Sequence, residues 1–377
     1  MNKKVIIIRN AAATDFGGAE RIAVQLAREI QKLGLEPVVF SGSDKLLQYA
    51  TEQDVPHRKT WWWQRQNWSG ANALLFPIYI GWQIVLFFYY ISLFAQIHPK
   101  TVHVESKDDY IAATFAARTL GINVFWSDNA DLKHIWRNGK IWYKNPTGKF
   151  VYLAARLVKH IVVVSKEDRR LISEQIPTGT IQRKLKVMYH GTFDVYKKAK
   201  KQPGVTYVST ARLVTDKGIG ELIVAFKKLR ALHDDVQLNM VGDGPQMKEF
   251  KMLAQSIKGI SWLGHQPEPL NYVIQSDVFV LPTYHEGFSI ALLEACMEGL
   301  AIITTNVGGN PEIIVDGKTG LLVEVKNSDQ LFDAMELLYS DAKLRTKLGA
   351  AARQTYLDNF DFEQLIKKQW LPLYNGE

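Results

Sequence analysis

Two acidic residues in the second half of the chain stand where they could contact a ligand. Glu286 lies in a predicted loop and Glu294 on the helix predicted to follow it, in a segment that is apolar on both sides. Eight residues make about 2.2 helical turns, which places both carboxylates on one side, about 12 Å apart along the axis. Because burying a lone carboxylate is costly, each needs a partner. We therefore predict that the pair brackets a ligand, with the helix amino terminus facing a phosphate; two solvated acids are the alternative.

Two cations, Arg212 and Lys217, lie between a predicted strand and a predicted helix. The free N–H groups of a helix amino terminus and two cations together form an anion site, although an ordinary basic loop has the same composition. Gly242 belongs to the turn Val241–Pro245 between a strand and a helix. A glycine there would let a ligand approach the backbone closely, and a plain turn is the alternative.

Short apolar strands that alternate with helices must position these residues. The strands predicted in the first half are Lys4–Arg9, Pro37–Phe40, Thr101–Val104, Asn123–Trp126 and His160–Val164. Those predicted in the second half are Thr206–Ser209, Val236–Val241, Val278–Leu281 and Ala301–Thr304. This alternation predicts an α/β protein with parallel, helix-covered sheets.

The length of 377 residues exceeds what one hydrophobic core supports, so we predict two domains. Residues 191–204, rich in Lys, Gly and Pro, are the predicted linker. It would join an amino-terminal Rossmann-like domain over residues 1–190 to a carboxy-terminal one over residues 205–360. A last helix, in residues 361–377, is expected to pack back on the first domain. Two doubly wound domains predict a ligand at the carboxyl ends of the strands, in a central cleft that both domains face.

Motifs of the second half occur in the order and spacing of a known enzyme family. They are Ala211-Arg-Leu213 with Asp216-Lys-Gly218, Val241-Gly-Asp-Gly-Pro245, the Glu286 and Glu294 pair, and Val307-Gly-Gly-Asn-Pro-Glu312 with Gly317-Lys-Thr-Gly-Leu-Leu322. From Tyr207 to about Val325 the chain resembles the sugar-nucleotide half of retaining glycosyltransferases of family 4, which have the GT-B fold. The first half matches more loosely, through Gly17-Gly-Ala-Glu-Arg21, Thr101–Val104 and Val163-Val-Ser165.

The resemblance implies a role for each of these residues. Arg212 and Lys217 would hold the donor diphosphate and neutralise the charge that develops as it leaves. Glu294 would accept hydrogen bonds from the ribose hydroxyls, and Glu286 would contact the hydroxyls of the donor sugar. The backbone beside these groups completes the implied donor site: Gly17, Gly18, Gly242, Gly287, Phe288 and Ser289.

The resemblance also implies the reaction, in which a sugar moves from a nucleoside diphosphate sugar to a glycan or lipid-linked glycan with its anomeric configuration kept. A donor phosphate oxygen would take the acceptor proton, so no protein nucleophile is needed, unlike the two-carboxylate plan of glycosidases. No Asp-x-Asp stands at a predicted strand end to hold a divalent ion, so we expect no metal and no cofactor. A UDP-sugar is favoured because it is common in the family, and a GDP-sugar is the second choice.

The chain departs from the family at one position. Many members carry a histidine at the end of a first-domain strand, close to the reacting sugar, but here the stretch reads Phe125-Trp-Ser127-Asp128-Asn129. Asp128 or Asn129 could replace the histidine by hydrogen-bonding the sugar or the acceptor, which makes Asp128 a candidate catalytic residue. Both could equally cap the next helix, as Asp and Asn commonly do.

A charge-free stretch in the first half has three interpretations. Leu74–Phe94 is long and apolar enough to span a bilayer, and it follows Arg58-Lys59 and the cluster Trp61, Trp62, Trp63, Arg65 and Trp68. A segment in the membrane interface would explain both features. A buried helix would leave the Trp–Arg cluster unexplained, and a true span would interrupt the first domain between its strands.

The net charge of +8 is unevenly distributed, because Lys133–Lys201 carries 17 Lys and Arg against four acids. A solvated basic face or an anionic partner would explain it. We recognise no RNA-binding motif, so we expect an anionic membrane surface and no nucleic acid. The amino terminus lacks a signal-peptide core, and the single Cys296 excludes an internal disulfide. These features predict a cytoplasmic protein at the periphery of the membrane.

Two other kinds of protein remain open from the sequence. One is a sugar-nucleotide epimerase or a phosphorylase of the same fold. The other is a non-catalytic protein that binds membrane or nucleic acid through its basic face, which would not depend on Glu286, Glu294, Arg212 or Lys217. Nucleotide release that requires a glycan acceptor would single out the transferase.

Overall fold

The computed structural model describes residues 2–10, 17–62, 76–128, 132, 136, 146–176, 179–196 and 203–376. The chain divides into two compact units: unit 1 is Met1–Tyr189 with Glu363–Glu377, and unit 2 is His190–Phe362. The second unit therefore starts earlier than predicted, because the described part of the predicted linker is paired within it. Thr192 forms a β-bridge with Asp361, and Asp194 forms an ion pair with Arg353 at 2.6 Å.

Unit 1 contains a seven-stranded parallel sheet with the order β3-β2-β1-β4-β5-β6-β7. Its strands are β1 (Lys4–Ile8), β2 (Glu36–Ser41), β3 (His57–Lys59), β4 (Thr101–Val104), β5 (Asn123–Asp128), β6 (Ile161–Val163) and β7 (Leu185–Val187). The central strands are continuous apolar runs because both faces of the sheet are covered. In β1, for example, the four residues from Val5 to Ile8 are completely buried.

The amino-terminal part of unit 1, up to Tyr189, contains seven helices in the described residues. They are α1 (Gly18–Lys32), α2 (Asp44–Glu52), α3 (Phe76–Ile97), α4 (Tyr110–Thr119), α5 (Pro146–Ala155), α6 (Lys166–Gln175) and α7 (Gly179–Gln182). The carboxy-terminal residues Glu363–Glu377 also belong to unit 1. Tyr374 is buried there, and its carbonyl oxygen accepts a hydrogen bond from the Thr101 hydroxyl at 3.0 Å.

Helix α3 carries the predicted charge-free stretch and forms the crossover between β3 and β4. Its residues Pro77–Ile97 are, within the described ranges, the one helical segment long and apolar enough to cross a bilayer, with a mean hydropathy of 1.7 and 33% of its most apolar window buried. The buried residues repeat at helical spacing: Tyr79, Gln83, Leu86, Tyr90, Leu93 and Phe94. Because this face packs against α4 and the core, α3 is an element of the domain, which argues against a true span.

Unit 2 contains a six-stranded parallel sheet with the order β10-β9-β8-β11-β12-β13. Its strands are β8 (Val205–Thr210), β9 (Val236–Val241), β10 (Ile260–Gly264), β11 (Val278–Leu281), β12 (Ala301–Thr305) and β13 (Leu321–Val323). Its helices are α8 (Ile219–Leu232), α9 (Met247–Leu253), α10 (Leu270–Val273), α11 (Ile290–Met297), α12 (Asn310–Ile313), α13 (Ser328–Ser340) and α14 (Ala342–Asn359).

Each sheet reverses its strand order beside its first strand. In unit 1, β1 lies between β2 and β4; in unit 2, β8 lies between β9 and β11. Doubly wound folds bind ligands outside the carboxyl ends of the strands at this reversal. In unit 2, Arg212 and Lys217 follow β8 and Glu286 follows β11, so all three residues come after strand ends at this edge.

Candidate active site

An ion pair joins two of the predicted site residues at the carboxyl edge of unit 2. Lys217 belongs to the lysine turn (residues 215–218), directly before α8, and Glu286 belongs to the glutamate loop (residues 282–289), between β11 and α11. Lys217 Nζ donates to Glu286 Oε2 at 2.8 Å, with side chains 18% and 19% exposed. Partial burial reduces screening by solvent, so the pair fixes both charged groups in place.

The backbones of the lysine turn and the glutamate loop are packed together. Gly218 has a φ of +67°, and a Cβ at this position would lie 2.0 Å from the carbonyl oxygen of Pro282. Only glycine fits this contact. The N–H of Tyr284 also donates to the carbonyl oxygen of Asp216 at 2.7 Å. The ion pair therefore rests on two segments whose relative position is fixed by main-chain contacts.

Arg212 and Gly242 lie at the same edge, but only Arg212 is exposed and available to a ligand. Arg212 is exposed, and its guanidinium makes no hydrogen bond or ion pair with any part of the chain that the structure describes. It is therefore available to an anion. Gly242 has a φ of +139°, and a Cβ there would lie 1.9 Å from the carbonyl oxygen of Ala211. The close approach of two protein segments thus requires this glycine, whereas the sequence suggested the approach of a ligand.

Glu294 is half-buried on α11. Ser289 caps this helix, because its hydroxyl accepts a hydrogen bond from the Leu292 N–H at 3.3 Å. Since α11 begins after the cap, only the second half of the spacing between Glu286 and Glu294 is helical. The predicted separation of about 2.2 turns is therefore wrong, and the shape of the glutamate loop sets the distance between the two carboxylates.

The loop after β12 supports the glutamate loop. Gly308 has a φ of +54°, and a Cβ there would lie 1.7 Å from the carbonyl oxygen of Glu286. The N–H of Gly309 donates to the carbonyl oxygen of Gly287 at 3.0 Å. Near the end of the loop Phe288 is buried, and its ring packs against that of Phe360, with the centroids 5.7 Å apart. These contacts fix the backbone that carries Glu286.

Sequence reasoning missed a buried polar network behind the site. Asn310 is completely buried, and its Nδ2 donates to Thr304 Oγ1 at 3.0 Å and to the carbonyl oxygen of Thr305 at 3.2 Å. Thr305 Oγ1 in turn donates to the carbonyl oxygen of Thr283 at 2.5 Å. The network links the end of β12 to the glutamate loop. Polar residues directly after an apolar strand are the only sequence signal for it.

The candidate catalytic residue of unit 1, Asp128, is completely buried at the end of β5. Its Oδ1 accepts a hydrogen bond from the N–H of Leu132 at 2.9 Å. This hydrogen bond gives the buried carboxylate a local backbone partner, and most residues of the predicted next helix lie outside the described ranges. Asn129, the other residue considered at this position, lies outside the described residues.

Gly17 directly precedes α1, which begins at Gly18. The Gly17 N–H donates to Glu20 Oε2 at 2.9 Å, and Glu20 Oε1 pairs with Arg9 Nη2 at 2.7 Å. Gly17 has an ordinary φ of −146°. A Cβ added to Gly17 would meet only Glu20 Oε2, at 3.5 Å, among the described residues. Those residues do not require a glycine here, so the position leaves room for the close approach predicted from the sequence.

A buried titratable cluster at the end of β4 was not identified from the sequence. Burial raises the pKa of Glu105 to about 7, partly offset by the positive charge of Arg9. Burial also lowers the pKa of His103 to about 3. The His103 ring is hydrogen-bonded to Ser127 Oγ at 2.6 Å and to the Tyr374 hydroxyl at 2.7 Å. His103 is therefore neutral at physiological pH and connects β4, β5 and the carboxy-terminal segment.

No group of three or more His, Cys, Asp or Glu side chains that could hold a metal ion occurs in the described part of the chain. Cys296 on α11 is buried, which raises the pKa of its thiol.

Each unit has one parallel sheet whose strand order reverses beside its first strand, which is the arrangement of a Rossmann-like domain. The chain has the GT-B fold, with two Rossmann-like domains, and its structure is similar to those of GT-B glycosyltransferases. One of them is HepE from Anabaena, solved in complex with UDP-glucose: the TM-score is 0.74 at 15% identity, with 99% of each chain covered.

Two family models match the sequence. The model for glycosyl transferases group 1 matches residues 192–355, and the model for Glycosyltransferase Family 4 matches residues 16–193. Because the two matches together extend from residue 16 to residue 355, the chain belongs to the GT-B glycosyltransferases of group 1 and family 4.

Curated relatives align with part of the chain. The capsular polysaccharide biosynthesis glycosyltransferase CapM of Staphylococcus aureus is 31% identical over 169 residues, 44% of each protein. The N,N'-diacetylbacillosaminyl-diphospho-undecaprenol alpha-1,3-N-acetylgalactosaminyltransferase of Campylobacter jejuni is 31% identical over 168 residues, which cover 44% of this chain and 43% of the relative. The chain thus spans less than half the length of these relatives.

Proposed function

We propose that the protein is a retaining glycosyltransferase that moves a hexose from a nucleoside diphosphate sugar to a glycan or lipid-linked glycan. The ion pair of Lys217 and Glu286 carries this proposal, because it lies at the strand-order reversal of unit 2, where doubly wound folds bind ligands. The complex of HepE with UDP-glucose supports a UDP-sugar as the first donor to test. A GDP-sugar is the second.

In this proposal Lys217 and Arg212 bind the donor diphosphate. The diphosphate competes with Glu286 for Lys217, and Glu286 then accepts hydrogen bonds from the hydroxyls of the donor sugar. Both cations neutralise the negative charge that develops on the departing nucleotide. Glu294 accepts hydrogen bonds from the ribose, and the backbone of Gly287 to Ser289 lies against the sugar.

The anomeric configuration is kept without a protein nucleophile. The bond from the anomeric carbon to the donor phosphate breaks as the acceptor hydroxyl attacks from the same face. A phosphate oxygen takes the acceptor proton, so the nucleoside diphosphate leaves with it. This plan needs neither the two flanking carboxylates of glycosidases nor a metal ion, since Arg212 and Lys217 supply the positive charge.

We also propose that the acceptor is lipid-linked and that unit 1 binds the anionic cytoplasmic face of a membrane peripherally. The outer face of α3 supports this, because it exposes an uncharged apolar stripe at helical spacing: Ile78, Trp82, Val85 and Phe88. Trp61 is 52% exposed and packs edge-to-face on Trp82 at 5.1 Å. Arg58 and Lys59 are exposed on the neighbouring β3. Indole rings, apolar side chains and cations together suit the membrane interface.

Ligand-induced stabilisation tests the donor assignment. A nucleoside diphosphate at about 100 times its Kd stabilises a protein by about 2.7 kcal/mol, a rise in Tm of several degrees for units of this size. We expect this shift with UDP or GDP and a smaller one with the monophosphate. Nucleotide release should then require a glycan acceptor. No shift with any nucleoside diphosphate would contradict the site, and conversion of the donor without an acceptor would indicate an epimerase.

A further inference from the structure

The side chain of Tyr284 adds a link, besides the ion pair and the main-chain contacts, between the two segments that carry the proposed donor site. Its hydroxyl donates to Glu221 Oε1, in the first turn of α8, at 2.5 Å. Lys326 Nζ lies over the Tyr284 ring, 5.2 Å from its centroid. Burial and the hydrogen bond to Glu221 both raise the pKa of the phenol, so this hydroxyl remains a donor at physiological pH.

The spacing of these residues makes the two links parallel. Glu221 follows Lys217 by four residues, and Tyr284 precedes Glu286 by two. The ion pair of Lys217 with Glu286 and the hydrogen bond of Tyr284 with Glu221 therefore join the same two stretches of chain. Each link opposes a displacement of the glutamate loop along α8.

The two links differ in what the proposed reaction does to them. The donor diphosphate draws Lys217 away from Glu286, so the Glu286 side chain loses its partner, while the main-chain contacts between the two segments remain. None of the proposed donor contacts involves Tyr284 or Glu221. The hydrogen bond of Tyr284 therefore persists in the state in which Glu286 must be placed against the sugar hydroxyls.

We infer that Tyr284 is a positioning residue, which acts through Glu286 and matters most after the donor has displaced Glu286 from Lys217. This inference rests on the proposed function and extends it to a residue outside the donor-binding set. It predicts that Tyr284→Phe lowers kcat about tenfold, whereas the affinity for UDP and the Tm stay close to the wild-type values. A purely structural tyrosine would instead lower the Tm and leave kcat per folded molecule unchanged.

The chain offers a matched control. Tyr339 also donates to a carboxylate of unit 2, Asp235 Oδ1, at 2.8 Å, but it lies on α13. We expect Tyr339→Phe to keep wild-type kcat. At the other end of the link, Glu221→Gln keeps an oxygen that accepts the hydrogen bond from the Tyr284 hydroxyl. This variant should retain most of the activity. Glu221→Leu removes the acceptor and should reproduce the loss in Tyr284→Phe.

A double-mutant cycle separates action through Glu286 from an independent effect. If Tyr284 acts by placing the Glu286 carboxylate, adding Tyr284→Phe to Glu286→Gln should cost less than a further twofold in kcat. Additive losses, or a Tyr284→Phe variant with wild-type kcat, would overturn the inference. Both results are read against a wild-type protein that transfers sugar. Absence of transfer by the wild type would instead overturn the proposed function.

Discussion

The carboxylate of Glu286 has Lys217 as its partner in the structure and a sugar hydroxyl as its partner in the proposed reaction. Removing its charge therefore has two opposite consequences. The Glu286 carboxylate no longer competes with the donor diphosphate for Lys217, which favours nucleotide binding. The sugar loses a charge-assisted hydrogen bond, which is stronger than a neutral one, and the transition state is destabilised.

The two glutamates should respond differently to substitution. Glu286→Gln should lower kcat by on the order of 10²-fold while UDP binds as tightly as to the wild type or a few-fold more tightly. Glu294→Ala should weaken UDP binding by roughly 10- to 100-fold, because a hydrogen bond to a charged group contributes roughly 1.5–3 kcal/mol. Titration calorimetry with UDP and initial rates measure both. If Glu286→Gln lost most of its UDP affinity and Glu294→Ala kept full affinity, the roles proposed for the two glutamates would have to be exchanged.

At the scale of the element, Glu105 at the carboxyl end of β4 makes the stability of the protein depend on pH. The pKa of Glu105 is about 7 in the folded protein and about 4.3 in an unfolded chain. The folded state thus binds the proton more tightly. The contribution of this group to stability is complete below about pH 4 and is lost as the pH rises through 7. The His103 ring lies 3.5 Å from the Glu105 carboxylate but stays neutral between pH 5.5 and pH 8, because burial lowers its pKa to about 3.

Glu105→Gln should remove this loss. The Tm of the variant minus the Tm of the wild type should be a few degrees larger at pH 8 than at pH 5.5. About 1 kcal/mol changes the Tm of such a domain by roughly 2–4 °C. The exposed Glu36→Gln is the control and should follow the wild type at both values. Thermal unfolding followed by circular dichroism measures the difference. An equal Tm difference at pH 5.5 and pH 8 would show that Glu105 does not titrate in this range.

The elements were largely predictable, and their contacts were not. Apolar runs such as Val5–Ile8 and Val278–Leu281 identify buried strands because a covered parallel sheet needs apolar residues on both faces. The residues that follow β8 and β11 could be selected because short loops bring them to one edge. Three contacts depend on neighbours that local sequence does not specify: the pairing of Lys217 with Glu286, the packing of Gly242 on Ala211 and the hydrogen bond from the Leu132 N–H to Asp128.

At the scale of the whole molecule, the two units share one architecture, but they expose different kinds of surface. Unit 1 exposes the apolar stripe of α3 with Trp61 beside it, whereas the carboxyl edge of unit 2 has the ion pair of Lys217 and Glu286. Trp62 differs from its neighbour, because it is buried and its indole donates to Asp109 Oδ1 at 3.0 Å. Replacing Trp62 would therefore disturb the core, and a membrane test must use Trp61 and Trp82.

Vesicles containing anionic lipids should bind the protein strongly at low salt and partly at high salt. Each cation near such a surface contributes about 1 kcal/mol, and salt screens this part. The double variant Trp61→Ser and Trp82→Ser should lose the salt-resistant fraction and keep UDP binding. Met252→Ser with Leu253→Ser, at two exposed apolar positions of unit 2, is the matched control. Co-sedimentation measures the bound fraction, and no binding at low salt would remove the membrane from the proposal.

Sugar transfer by Lys217→Ala tests the central claim most directly. With a UDP-sugar or GDP-sugar donor and a glycan acceptor, the wild type should release nucleotide only when the acceptor is present. Lys217→Ala should lower kcat/KM by on the order of 10²–10³-fold, the cost of one preorganised charge-stabilising group, with a Tm close to the wild-type value. Lys227→Ala, an exposed lysine on α8, should match the wild type. Wild-type turnover in Lys217→Ala would contradict the assignment of this edge as the donor site.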